Sequence, residues 1–295
     1  MKLIQRIEVA DRLGECVLWD EHDSAVWWTD IEGRRLHRLD WPSGALATYS
    51  TPARLASFAF IEGRREILAG FEHGIAVFDP NTGGMGPLCR PDGLVEGLRL
   101  NDGRVDRQGR FWIGSMVERG DAAAAHLYCT DGTMTAIHLN ELGIANGLAF
   151  SPDGSVCYFA DSRERIIWRF ALDPETGALS ERTIFARSSG MSCPDGATVD
   201  SEGFLWSAQW GGGCVLRYSP DGRIDRVLEV PVSRPSCVAF GGRDLGLLFV
   251  TSAGSGLAPG ETGAGDLFVY NVAVRGLPES RCRIGAWSVT SGSRR

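Results

Sequence analysis

Apolar and polar residues alternate in short runs along nearly the whole chain, as half-buried β-strands require, and extended helical periodicity is nearly absent. RIIWRFAL at 165–172 and CVLRYSP at 214–220 are examples. Between such runs stand turn sequences rich in Asp and Gly, including SPDG at 151–154 and again at 219–222.

The runs are grouped into a recurring unit: a short apolar strand, an Asp/Gly turn, a second strand with an aromatic residue, and a third carrying Arg and an aromatic. It occurs six times: ECVLWDEHDSAVWWTDI from Glu15, SFAFIEGRREILAGF from Ser57, NDGRVDRQGRFWIGSM from Asn101, NGLAFSPDGSVCYFADS from Asn146, PDGATVDSEGFLWSAQW from Pro194 and SCVAFGGRDLGLLFVTS from Ser236. Spacings of roughly 40 to 48 residues match four-stranded propeller blades, whereas a β-sandwich has no reason to repeat at this interval. The pattern predicts an all-β, six-bladed β-propeller with four-stranded blades over residues 1–284, and a frayed tail over 285–295. The last unit supplies three strands, ending in GDLFVYNVAV at 265–274, while KLIQRIEVA precedes the first unit as a spare. Pairing residues 2–10 into the last blade closes the ring and removes two edges.

The first strand of each propeller blade lines the central channel, so the repeat maps residues that meet at the axis. The six units place Glu15, Ser57, Asn101, Asn146, Asp195 and Ser236 there, all polar where apolar linings would be easier to bury. Two carboxylates with carboxamide oxygens, and no converging His or Cys, suit a hard divalent cation such as Ca²⁺, Mg²⁺ or Mn²⁺, with Zn²⁺ also compatible. Without a cation the two carboxylates raise one another's pKa and destabilise the channel.

Composition narrows the ligand. A formal charge of −7 without any Lys/Arg block opposes nucleic-acid or anionic-membrane binding and leaves a small molecule as the simpler partner. The charged N-terminus lacks a signal-peptide core, and no run approaches a membrane span, which predicts a cytoplasmic protein. The eight cysteines have no CxxC spacing and read mostly as buried small apolar side chains. His22, His37, His73, His126 and His138 all fall outside the blade-start positions and read as surface or turn residues. G-x-S-x-G, HExxH and P-loop signatures are absent, which disfavours serine-esterase and nucleotidase chemistry. No feature assigns an oligomeric state.

LGE at 13–15, RLND at 99–102, GSM followed by Glu118, NGLAFSPDG at 146–154, and PDGATVD at 194–200 followed by GFLW and WGGG resemble the gluconolactonase/regucalcin (senescence marker protein) family of sugar lactonases. The likeness runs in order from about residue 8 to residue 276. The resemblance implies that Glu15, Asn146 and Asp195 ligate one divalent metal, that Arg99, Asn101 and Glu118 hold the sugar, and that Asp195 is also the proton acceptor. Leu100 and Ser115 depart from the residues usual in that family.

A lactone carbonyl oxygen becomes negative on attack, so a cation on that oxygen favours the transition state over the ground state. Coordination also acidifies water, whose proton a neighbouring carboxylate such as Asp195 can take. The sequence therefore predicts metal-dependent hydrolysis of a pentose or hexose aldonolactone. The alternatives are a propeller hydrolase for other esters or organophosphates, and a non-enzymatic calcium-binding or scaffold propeller.

Overall fold

The computed structural model describes residues 1–120, 122–130, 135–256 and 261–284. The expected tail at 285–295 lies outside the described residues. A leading strand β1 (Lys2–Ile7) is followed by blade 1, β2 (Gly14–Asp20), β3 (Ala25–Asp30), β4 (Arg35–Asp40) and β5 (Leu46–Ser50). Blade 2 contains β6 (Leu55–Phe60), β7 (Ile67–Phe71) and β8 (Gly74–Phe78), and blade 3 contains β9 (Leu98–Val105), β10 (Phe111–Val117), β11 (Ala125–Thr130) and β12 (Thr135–Leu142). Blade 4 is β13 (Ala145–Phe150), β14 (Val156–Asp161), β15 (Ile166–Leu172) and β16 (Leu179–Arg187). Blade 5 is β17 (Cys193–Val199), β18 (Leu205–Trp210), β19 (Cys214–Tyr218) and β20 (Ile224–Glu229), and blade 6 opens with β21 (Pro235–Gly241), β22 (Leu247–Ser252) and β23 (Leu267–Asn271). Each sheet is an antiparallel meander, and the six form the predicted six-bladed propeller. No helix among the described residues is long and apolar enough to cross a membrane.

The ring closes as the spare strand requires. Blade 6 has the order β1-β23-β22-β21, with Ile7 opposite Leu267 and Lys2 opposite Asn271. Pairing stops at Ile7 and not at residue 10, because the Asp266 carboxylate takes over as acceptor for the Val9 and Ala10 amides at 3.0 Å and for Arg6 Nε at 2.6 Å. Trp19 of blade 1 stacks on Phe249 of blade 6 at 5.9 Å, so an aromatic contact seals the same seam from inside.

Blade 2 departs from the expected four strands. Its fourth position is filled by an irregular segment bridged at Phe78–Met85 and Ile75–Cys89. The sequence NTGGMGPLCRPDG over 81–93 explains this, since its two prolines lack an amide donor and its glycines weaken an extended strand.

Repeated aspartates hold the blades' turns. Asp106 accepts the amides of Gln108 and Arg110 on one oxygen and Trp112 Nε1 on the other at 2.9 Å; Asp200 does the same for Glu202, Phe204 and Trp206 Nε1 at 2.8 Å. One carboxylate thus fixes a turn and orients the large indole buried beneath it. Blade 1 uses a variant of this arrangement and corrects the reading of His37 as a surface residue. His37 is buried on β4, stacked on Trp28, with its ring nitrogens 2.9 Å from Asp11 Oδ1 and Thr48 Oγ1. His126 and His138 are also strand residues, on β11 and β12, and only His22 and His73 stand in turns. None of the eight cysteines is in a disulfide, and five are buried.

Candidate active site at the propeller axis

Every innermost strand carries one extra residue at its entrance. The register slips between Glu15 and Leu18, Asn146 and Ala149, Pro194 and Ala197, and Pro235 and Val238 on the inner strands themselves. In β6 it slips between Leu55 and Ser57, and in β9 between Leu100 and Gly103. Such bulges bend the strand and re-aim a side chain that regular pairing would send into a blade interface. Two glycines make the crowding possible. Gly147 has φ +60°, and a Cβ there would lie 3.0 Å from the Asp195 carbonyl oxygen; a Cβ at Gly196 would lie 2.5 Å from Cys237 Sγ.

A cavity of about 430 Å³ opens at this end of the channel, bordered by Glu15, Arg99, Asn101, Asn146 and Asp195. Five of the six residues expected at the site therefore meet. Glu118, which follows β10, stands one contact behind: its carboxylate takes Arg99 Nε at 3.2 Å and both terminal nitrogens of Arg54 at 2.7 and 2.9 Å. Ser57 and Ser236 are fully buried, and Ser236 donates to the Gly14 carbonyl of the neighbouring blade.

A directional hydrogen-bond chain runs around half of the axis. Arg99 Nη1 donates to Asn101 Oδ1 at 2.7 Å, Asn101 Nδ2 donates to Asn146 Oδ1 at 2.9 Å, Asn146 Nδ2 donates to Ser162 Oγ at 2.9 Å, and Ser162 Oγ donates to the Pro194 carbonyl at 2.6 Å. Each member's donor needs the next member's acceptor, so both amide orientations are fixed. The chain ends at the residue preceding Asp195.

The carboxylates are arranged less comfortably. Glu15 is half-buried and Asp195 is buried. Burial, followed by the Asp102 charge, pushes Glu15 up to about 8, against the pull of the Cys16 amide, Arg99 and Arg104. Burial, then Glu15, then Asp102 raise Asp195 well above the usual carboxylate range, against the pull of the Gly196 amide. Asp102 is a third buried acid, raised chiefly by burial, and it accepts the Leu148 amide at 2.9 Å. That bond crosses from β9 of blade 3 to β13 of blade 4. Below it Arg104 donates to the Ala197 and Val238 carbonyls at 2.8 and 3.2 Å and pairs with Glu279 at 2.9 Å.

These residues fit a divalent cation. Among the described residues Glu15 Oε2 accepts only the Cys16 amide, and Asn146 Oδ1 keeps a lone pair beyond the one given to Asn101. Two carboxylates raised by burial and neighbouring acids, with Glu15 adding to the rise at Asp195, are what a cation would relieve. Among the described residues no three His, Cys, Asp or Glu side chains gather around one point, so an ion here would rest on two carboxylates and an amide oxygen.

Residues 13–254 match the family described as SMP-30/Gluconolactonase/LRE-like region, and the chain belongs to that family. It is similar to a 6-deoxy-6-sulfogluconolactonase from Pseudomonas putida, 38% identical over 277 residues, 90% of this chain and 94% of that protein. A pentonolactonase from Haloferax volcanii is 37% identical over 298 residues, 95% of this chain and 98% of that one. Among solved structures, a calcium-binding protein, regucalcin, from Agrobacterium tumefaciens superposes with a TM-score of 0.90 at 31% identity, covering 96% of this chain and 98% of that chain.

Several site residues escape the repeat map because they do not open a blade. Ser162, Arg163 and Arg165 lie on the β14–β15 turn, and Leu13, Met116, Ile144, Cys193 and Trp210 complete the cavity wall. Met116, Ser162 and Trp210 carried a signal, each as the last residue of its repeat unit. Leu100 and Ser115 are fully buried away from the cavity, and Ser115 Oγ accepts the His126 amide at 2.8 Å, so these departures do not meet a ligand directly.

Proposed function

We propose that this chain is a lactonase that opens a sugar lactone to its aldonic acid, with one divalent cation held by Glu15, Asn146 and Asp195. The observation that carries the reading is the half-buried Glu15 and buried Asp195, both raised, lining one cavity with Arg99 and Asn101 in a chain of this family. A cation bound there supplies charge balance for the two carboxylates and Lewis acidity toward the carbonyl oxygen of the ester.

The protein's own residues account for the rest. Arg99 spends Nε on Glu118 and Nη1 on Asn101 and the Leu100 carbonyl, which leaves Nη2 to donate to a sugar oxygen from a fixed position. Asn101 transmits that placement to Asn146. Asp195, once its charge is balanced, is ionised and accepts the proton of the attacking water. Addition to the ring carbonyl then breaks the ring C–O bond, and the departing oxygen takes a proton to become a hydroxyl of the open acid. No covalent adduct with the protein is required. A calcium-binding protein without catalysis would have no use for an oriented arginine beside a cavity of this size.

The test is acid release from a panel of pentono- and hexonolactones by chelator-stripped protein, before and after reloading with Ca²⁺, Mg²⁺, Mn²⁺ or Zn²⁺. Hydrolysis above the spontaneous rate that depends on reloading is expected. Equal rates with stripped protein would remove the cation from the reading, and no turnover of any lactone would remove the lactonase reading itself.

A further inference from the structure

Arg54 does not border the cavity, yet from the loop between β5 and β6 it grips Glu118, the residue that holds Arg99. Its guanidinium gathers three carboxylates, one from each of blades 1, 2 and 3. Nε donates to Glu72 Oε2 at 2.7 Å in the β7–β8 turn, and Nη1 donates to Glu32 Oε1 at 3.0 Å in the β3–β4 turn. The Arg54 amide adds a 3.3 Å bond to Glu72 Oε1, and the Glu72 amide returns one to the Arg54 carbonyl at 2.9 Å. Glu32 and Glu72 thus fix the fork that Arg54 presents to Glu118, with Nη1 on Oε1 at 2.7 Å and Nη2 on Oε2 at 2.9 Å. An isolated surface ion pair would count for little, but this one is two-pronged and braced within a network.

Glu118 is divided unequally between two arginines. Arg99 receives one longer bond, Nε to Oε1 at 3.2 Å, on an oxygen that Arg54 also uses. On any guanidinium Nε and Nη2 lie side by side and match the two oxygens of one carboxylate. Arg54 occupies Glu118 Oε2, so that second match is not made on Arg99. Arg99 Nη1 is held by Asn101 and the Leu100 carbonyl, while Nη2 has no partner among the described residues and belongs to a side chain that borders the cavity. Without the Arg54 guanidinium, Glu118 would have Arg99 as its remaining cation. Its second oxygen would then close on Nη2, the donor that a sugar oxygen needs.

We infer that Arg54 is a positioning residue for the lactone: by holding both oxygens of Glu118 it keeps that carboxylate from closing a fork on Arg99, and so keeps Arg99 Nη2 open to substrate. This inference rests on the lactonase reading.

The experiment measures kcat and KM of metal-loaded protein on the pentono- and hexonolactones that wild type hydrolyses, beginning with glucono-1,5-lactone, in wild type, R54M, R54K and R54M/E118Q. KM should rise about tenfold in R54M, the loss of one charge-assisted hydrogen bond to substrate, while kcat moves far less. In R54K a single ammonium cannot span both Glu118 oxygens, so KM should fall between wild type and R54M. In R54M/E118Q a neutral amide replaces the acid that draws Arg99 Nη2 away, and KM should return most of the way to the wild-type value. A merely structural Arg54 predicts the opposite order, because a second lost partner adds to the first. Partial unfolding lowers the concentration of active sites and with it the apparent kcat, leaving KM in place. If R54M does not fold, R54K and R54K/E118Q give the same comparison. A wild-type KM in the single variant, or a KM in the double variant no lower than in the single, overturns this inference while the lactonase reading stands. If wild type hydrolyses no lactone, both fall.

Discussion

Asn101 Nδ2 donates to Asn146 Oδ1 at 2.9 Å, across the boundary between blades 3 and 4. The two amides are therefore not interchangeable ligands. Asn101 is a spacer whose oxygen is spent on Arg99, and its nitrogen decides which face Asn146 shows to the axis.

Asn101→Asp tests that coupling. The substituted carboxylate still accepts from Arg99 but offers no donor to Asn146, whose amide must then turn and lose its bond to Ser162 or leave two acceptors facing. The broken chain should cost about 1–3 kcal/mol of stability and weaken cation binding by about tenfold or more. Calorimetric titration with Ca²⁺ or Mn²⁺ measures it, and wild-type affinity in N101D would show that Asn146 is oriented by something else.

The raised Glu15 gives a signed pH dependence. Its pKa is 4.5 in the unfolded chain and about 8 in the folded one, so between these values the folded state holds more protons than the unfolded state. Stability of metal-free protein should therefore fall as pH rises through that window, and Asp195, shifted the same way, should add to the loss. Bound cation should abolish the slope, because it displaces those protons. Thermal melts of stripped and loaded protein from pH 5 to 8.5 decide the matter; parallel profiles would contradict it.

Base and ligand roles at the axis separate by substitution. Asp195→Asn keeps an oxygen of nearly the same shape but removes the basic carboxylate, so kcat should drop by about 10² or more while cation binding is only weakened. Glu15→Gln should chiefly raise the cation concentration needed for half-maximal rate. Near wild-type turnover by D195N at saturating metal would remove Asp195 from the role of base. Arg99→Ala should raise KM more than it lowers kcat.

Removal of residues 2–7 strips β1 from β23 and exposes the outer edge of blade 6. With several ladder bonds and the Arg6–Asp266 pair gone, stability should fall by roughly 3–5 kcal/mol, and the bare edge should promote self-association. Light scattering during a thermal melt reports both; a monomer melting like the full chain would show that the ring is closed without β1.

The architecture was legible because a propeller writes itself six times, and each copy reports on the others. Glu15, Asn101, Asn146 and Asp195 were legible for the same reason: a polar residue at one strand position is unremarkable once and informative when repeated. Arg163 and Arg165 were hidden because turns are not constrained to repeat. Arg54 and Arg104 were hidden because nothing in a linear pattern distinguishes an arginine that threads to a buried acid or a channel carbonyl from one that meets solvent. His37 was misread for the related reason that its partner, Asp11, lies outside the repeat altogether.

The extra residue at the mouth of every inner strand has a consequence for how such a protein changes over time. Each bulge makes a socket at a strand mouth, occupied either by a residue inside the slip, as with Asn101, Asp195 and Ser236, or by a paired residue at its border, as with Glu15, Asn146 and Ser57, so one codon can exchange the occupant while the slip itself keeps strand register. Glu15, Asn101, Asn146 and Asp195 fill four of the sockets with functional oxygens. Ser236 ties a fifth to the neighbouring blade, and Ser57 fills the sixth with a buried hydroxyl that has no hydrogen-bond partner among the described residues. The ring is thus a coordination sphere assembled from interchangeable parts, with one position still uncommitted, and drift at that position can retune the ligand while the scaffold stays the same.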